Sequence, residues 1–187
     1  MYYNLLTGEN TVLQGLVAEE FARYILSQRF PILIIRPTTA LKYLENSDIR
    51  GKYIDFLTRN QKTMDFFGIF PFSHDEEYQF TPEEIVCQFF YEKEGLNRYL
   101  NKNSLAKLLR GFIIEVKSRA TRNSWAPFQF SLSKNQSKLV NQSQRFNFDI
   151  ILCGVTFTDD WNLSVVFYDR NQKILSNDFF YKSINIG

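Results

Sequence analysis

Gly111-Phe112-Ile113-Ile114-Glu115-Val116-Lys117-Ser118-Arg119 is the stretch on which the fold turns. It is an apolar run that admits charge only near its end. Strand side chains alternate between two faces. Phe112, Ile114 and Val116 then share one face, and Ile113, Glu115 and Lys117 share the other. A carboxylate and an ammonium therefore stand side by side at the end of an apolar strand. Burying such charges is costly unless they pair or bind a metal. A structural Glu–Lys pair at a sheet edge is the plain alternative.

Working outward, the chain reads as a mixed α/β layout around one sheet. Asn10 or Thr11 is expected to cap a first helix running to about Gln28, with Leu13, Leu16, Val17, Phe21, Tyr24 and Ile25 at helical spacing. Pro31 follows, and Ile32–Ile35 reads as a buried strand that Pro37 ends. Residues 39–59 read as one or two helices broken near Gly51. Asp65–Phe70 reads as a second strand, stopped by Pro71. Residues 73–110 look like a helical insertion. In it, Thr81-Pro82-Glu83-Glu84 carries a capping-box signature for a helix to about Tyr99. A short helix over Leu105–Leu109 would end at Gly111. Phe112–Ser118 is the third strand and 119–131 a loop with Trp125 and Pro127. Ser133 caps a polar helix through Gln144, and strands follow at Phe148–Phe157 and Leu163–Tyr168, separated by a turn at Asp159-Asp160.

Composition bounds the function. The 187 residues, 44% of them hydrophobic and 19 of them Phe, suit a single domain with a Phe-rich core. Net charge is only +2, yet nine of the 22 Lys and Arg residues and one of the 20 acids lie between Lys102 and Arg145. A basic zone on an acidic body suits a polyanion approaching from one side. Cys87, Cys153 and a single His74 make neither a disulfide framework nor a His/Cys metal site. No apolar run approaches the roughly 20 residues of a membrane span, so a cytoplasmic protein is expected.

Two acids could join Glu115. Asp65 opens an apolar strand and is preferred to Asp55 and Asp75, because Phe66–Phe70 continues without charge. On the first helix, at about 100° per residue, Glu20 falls about 20° from Leu13, inside the apolar stripe, and Glu19 falls about 120° away, near its edge. A Glu in a core-facing stripe needs a reason. Glu19 stays open as its substitute.

Taken together, these residues resemble the PD-(D/E)xK nuclease superfamily. That core has a helix bearing Glu, a strand bearing Asp, a strand bearing Glu-x-Lys, then a helix and a strand. The matching pieces are Gly15–Glu20, Asp65–Ile69, Ile114–Arg119, Ser133–Gln144 and Phe148–Phe157. Gln136 resembles the Gln that follows the Glu-x-Lys strand in archaeal Holliday-junction resolvases. The chain departs from the pattern at Met64, where a Pro is usual, and in its long Asp-to-Glu gap, which the 73–110 insertion explains.

The resemblance implies a restriction-endonuclease-like α/β core, a mixed central sheet flanked by helices. It implies a Mg²⁺-dependent endonuclease acting on DNA, with Mn²⁺ as a substitute metal. Hard oxygen ligands suit those ions. Asp65, Glu115 and the backbone carbonyl of Val116 would hold the metal, with Glu20 beside them and Lys117 at the attacking water. Arg119, Arg122, Lys134, Gln136 and Lys138 would contact the nucleic acid, and Trp125 could stack on a base. Resolvases of this superfamily act as dimers, so a homodimer is implied; Phe179, Phe180 and Tyr181 are either an interface or a last strand. A non-catalytic nucleic-acid-binding protein of the same fold is the alternative, and RNA remains open as substrate.

Overall fold

The computed structural model describes residues 9–45, 47–71, 80–95, 109–121, 128–158 and 163–175. Five helices and five strands appear in the order α1 (Glu9–Arg29), β1 (Leu33–Ile35), α2 (Pro37–Glu45), α3 (Lys52–Asn60), β2 (Phe66–Phe70), α4 (Pro82–Lys93), β3 (Arg110–Ala120), α5 (Lys134–Ser143), β4 (Asp149–Phe157) and β5 (Leu163–Tyr168). The strands form one mixed sheet in sequence order. Its neighbours run antiparallel except β3 and β4, which are parallel. A parallel pair needs a crossover, and α5 lies within it. Among the described residues no helix is long and apolar enough to cross a membrane.

The two faces of the sheet carry separate cores, as the alternation along β3 requires. Phe112, Ile114 and Val116 pack with Phe66, Ile151, Cys153 and Val155 beneath Ala18, Ala22 and Leu26 of α1. Ile113 packs with Phe67, Ile150 and Leu152 beneath residues of α2, α3, α4 and α5. This second core is a Phe cluster. Phe67 meets Phe89 and Phe148 edge-on, at 5.7 and 5.5 Å between ring centres.

Helix α1 turns much of its expected face outward, although Phe21 and Ile25 pack against the core. Leu13, Leu16, Val17 and Tyr24 are exposed, while Ala18, Ala22 and Leu26 are buried. The buried residues recur every four positions, so they form one stripe along the helix. Alanines there let the helix axis come close to the sheet, and that close approach outweighs the larger side chains on the opposite face. The helix also begins at Glu9, so Asn10 and Thr11 lie inside it and are not its cap.

The segment expected as an insertion is partly integral to the core. The Thr81 capping box forms as the sequence predicts, and α4 buries Ile85, Val86, Phe89 and Phe90. It ends at Lys93, short of Tyr99, because Glu94 and Gly95 form a turn. Leu109 is buried outside any helix, and Arg110 already belongs to β3. Strand β3 also runs on to Ala120, into the expected loop. The rest of the expected short helix, the Asp159-Asp160 turn and Phe179–Tyr181 lie outside the described residues.

The turn after α4 has a task. Glu94 Oε1 accepts the backbone N–H groups of Tyr53 at 2.6 Å and Ile54 at 3.3 Å. It caps α3, whose own cap residue, Gly51, offers no side chain. Gly51 has φ 155°, and a Cβ there would strike the Glu94 carboxylate. Removing a side-chain cap typically destabilises a protein by about 0.5–2 kcal/mol. Glu94→Ala should therefore lower stability by about 1–2 kcal/mol in equilibrium denaturant unfolding. An unchanged midpoint would show that α3 needs no cap from α4.

Candidate active site

The register of two strands builds the site. Phe66 pairs with Ile114, the last rung of the β2–β3 ladder. One step further, Asp65 stands opposite Glu115. Strand β3 continues beyond this point, paired only with β4 on its other side. The N–H of Val116 thus emerges at an edge without a strand partner. Asp65 Oδ2 accepts it at 2.7 Å. The N–H and C=O of one strand residue point to the same edge, so the Val116 carbonyl faces the same opening.

Glu115 is only 3% exposed. Its Oε1 accepts from Lys117 Nζ at 2.7 Å and also from Gln136 Nε2. Its Oε2 is buried without a hydrogen-bond partner among the described residues. Gln136 reaches Glu115 from the first turn of α5, where it completes the Ser133 capping box. Its Oε1 accepts the Ser133 N–H at 2.9 Å. The amide is therefore held at both ends, oxygen to the helix cap and nitrogen to the carboxylate.

The two carboxyls are under electrostatic strain. Burial pushes Asp65 up to about 6, against the opposing bond from Val116. Burial and then repulsion from Asp65 push Glu115 up to about 7, although Lys117 opposes both effects. The charge of Glu19 on α1 adds to both shifts. Comparison with known protein families, curated proteins and solved structures gave no match.

Of the two acids considered on α1, Glu19 is the one whose charge acts on Asp65 and Glu115. With the buried face of α1 on Ala18, Ala22 and Leu26, Glu19 turns to the sheet and Glu20 to solvent. Their side chains are 21% and 50% exposed. Both meet Arg36, Glu19 at 2.5 Å and Glu20 at 3.1 Å, and Glu20 also pairs with Arg23. Burial works against the Arg36 charge, but these carboxylates outweigh it and raise its pKa. Among the described residues, no group of three His, Cys, Asp or Glu is arranged to hold a metal ion. Asp65 and Glu115 form a pair, and Arg36 holds Oε2 of Glu19.

Arg36 is the residue that the sequence reading missed. Its signal was a charge ending the apolar run Ile32–Ile35, just before Pro37. Of the other expected residues, Arg119 donates to Thr156 Oγ1 at 3.2 Å and lies over the Phe128 ring. Lys134 and Lys138 are exposed on α5. Asp55 is exposed on α3, beside Arg59. Arg122, Trp125 and Asp75 lie outside the described residues.

The raised carboxyl pKa values fix a pH dependence. Between the unfolded value near 4.5 and the folded value of about 7, the folded state keeps a proton on Glu115 that the unfolded state has lost. Stability must then fall as pH rises through that window, and it stays low above it. Glu115→Gln removes the effect. At about pH 8, with chelator present, this variant should exceed the wild type by up to about 3 kcal/mol, and the gap should close as pH falls below the unfolded value of 4.5. Denaturant unfolding across that range measures it. A variant less stable than the wild type at pH 8 would mark Glu115 and Lys117 as a structural pair.

Proposed function

We propose that this protein is a Mg²⁺-dependent endonuclease that hydrolyses phosphodiester bonds of DNA. The observation that carries the proposal is the buried Asp65–Glu115 pair, with Glu115 Oε2 left bare beside Lys117. Two carboxylates that burial pushes toward protonation, Glu115 also through the charge of Asp65, form a site short of positive charge. The donor set is hard oxygen, which suits Mg²⁺ or Mn²⁺. Asp65, Glu115 and the Val116 carbonyl would hold the ion. When bound, such an ion polarises the phosphoryl oxygen and makes its water more acidic.

The protein's own groups have distinct tasks in this reading. Gln136 fixes the orientation of Glu115. Lys117, partly exposed at the mouth of the pair, donates to the attacking water or to the charge developing on the phosphate. Lys134 and Lys138, four residues apart, line one flank of α5 as points for backbone phosphates. Arg119 stands at the end of the same strand. The element order also supports a restriction-endonuclease-like core. A Glu-bearing helix precedes an antiparallel β1–β2–β3 meander that carries the acids, and α5 then leads to β4 parallel to β3.

The deciding assay offers linear duplex, single-stranded, flap, four-way-junction and structured RNA substrates with Mg²⁺ or Mn²⁺, against EDTA. Cleavage should require the metal. Lys117→Ala should reduce it by about 10²-fold or more while leaving the fold and nucleic-acid binding nearly unchanged. Cutting at the wild-type rate would remove Lys117 from the chemistry. Binding without cleavage of any substrate, by a folded and metal-loaded protein, would instead favour a non-catalytic nucleic-acid-binding protein.

A further inference from the structure

The guanidinium of Arg36 is held from three sides. It lies over the Phe66 ring, 4.3 Å from the centre. Nη1 donates to Glu19 Oε2 at 2.5 Å and reaches the Asp65 carbonyl at 3.5 Å, while Nη2 donates to Glu20 Oε1 at 3.1 Å. Its backbone is fixed as well, because the Arg36 carbonyl accepts from Thr39 and Ala40 at the start of α2. Helix α1, the end of β1 and the start of β2 thus meet at one side chain. Glu19 is close enough for its charge to act on Asp65 and Glu115. Its own charge, however, is already met.

We infer that Arg36 is an internal counter-cation that withholds Glu19 from a divalent ion, so that the free site binds one ion through Asp65 and Glu115. The inference rests on the reading of that pair as a metal site. An ion that took Glu19 would have to compete with a charge-assisted contact to its Oε2 in a partly buried place, where such contacts are strong. A planar, stacked guanidinium suits this role better than an ammonium, which could neither lie flat on Phe66 nor serve two carboxylates from fixed positions. Arg36 is a positioning residue in this scheme. It sets how many carboxylates the ion meets, and hence how tightly the ion is held.

Calorimetric titration with Mn²⁺ alone tests the inference without any cleavage. The wild type should bind one ion. Glu19→Gln should change the affinity by no more than about twofold, because Glu19 is not yet a ligand. Arg36→Gln should tighten binding by about tenfold, the scale of ordinary coupling between sites. The double variant should lose that gain. A large loss of affinity in Glu19→Gln would make Glu19 a ligand already and overturn the inference. It would equally fail if Arg36→Gln changed nothing, or if its gain survived in the double variant as a long-range charge effect. Should Arg36→Gln not fold, Glu19→Gln decides alone. A folded wild type that takes up no Mn²⁺ would instead overturn the metal reading of Asp65 and Glu115, and the inference with it.

Discussion

The bond from the Val116 N–H to Asp65 is the contact on which the site depends. Strand β2 has five residues and β3 has eleven. The longer strand overruns the shorter one in the middle of the sheet and exposes an edge there. A bare N–H at a buried edge is expensive, and the first side chain before β2 supplies its acceptor. That solution brings a carboxylate directly opposite Glu115. Satisfying the backbone therefore creates the electrostatic conflict between the two acids. The same register makes both features inseparable: a shift of one residue would move Asp65 off the Val116 N–H and turn Glu115 to the opposite face.

The edge also explains how two layers of helices can serve one site. Sheet faces are normally isolated from each other by the strands between them. Beyond the end of β2 that barrier is missing. Gln136 then reaches Glu115 from the α5 side, while Arg36 brings Glu19 of α1 near from the other. The cores remain separate, one under α2–α5 and the other under α1, and only the polar residues meet at the gap.

The strands were legible because their signals are local. The apolar runs at 32–35, 66–70, 112–116, 148–157 and 163–168 are short and bounded by Pro, Gly or polar residues. The Thr81 and Ser133 caps were legible for the same reason. Helix α1 was not. Four of its larger apolar residues, Leu13, Leu16, Val17 and Tyr24, are exposed, and its buried side is marked by Ala18 and Ala22, which a search for bulk passes over. The same reading put Glu20 inside the stripe and Glu19 at its edge, whereas Glu19 is the more buried of the two. Arg36 was invisible for a different reason. Its importance comes from Phe66, Glu19 and the Asp65 carbonyl, which only the folded chain brings to it. Residues 73–110 looked like an insertion because no strand signal links them to the core, yet α4 contributes some of the most buried Phe residues.

The unequal treatment of the two Glu115 oxygens weighs against a purely structural Glu–Lys pair. Oε1 has two donors, Lys117 and Gln136, while Oε2 has none among the described residues. A buried ion pair stabilises a fold only when its remaining lone pairs are also satisfied. Here one cation and one fixed amide crowd onto a single atom, and the other oxygen is buried with no hydrogen-bond partner among the described residues. An apolar residue at 115 would pack in the same strand without that penalty. The arrangement has a physical rationale if Oε1 serves to orient the carboxylate and Oε2 is kept for a ligand. The stability of Glu115→Gln at high pH bears on the same point, since a gain there means that the native carboxylate is held against its own preference.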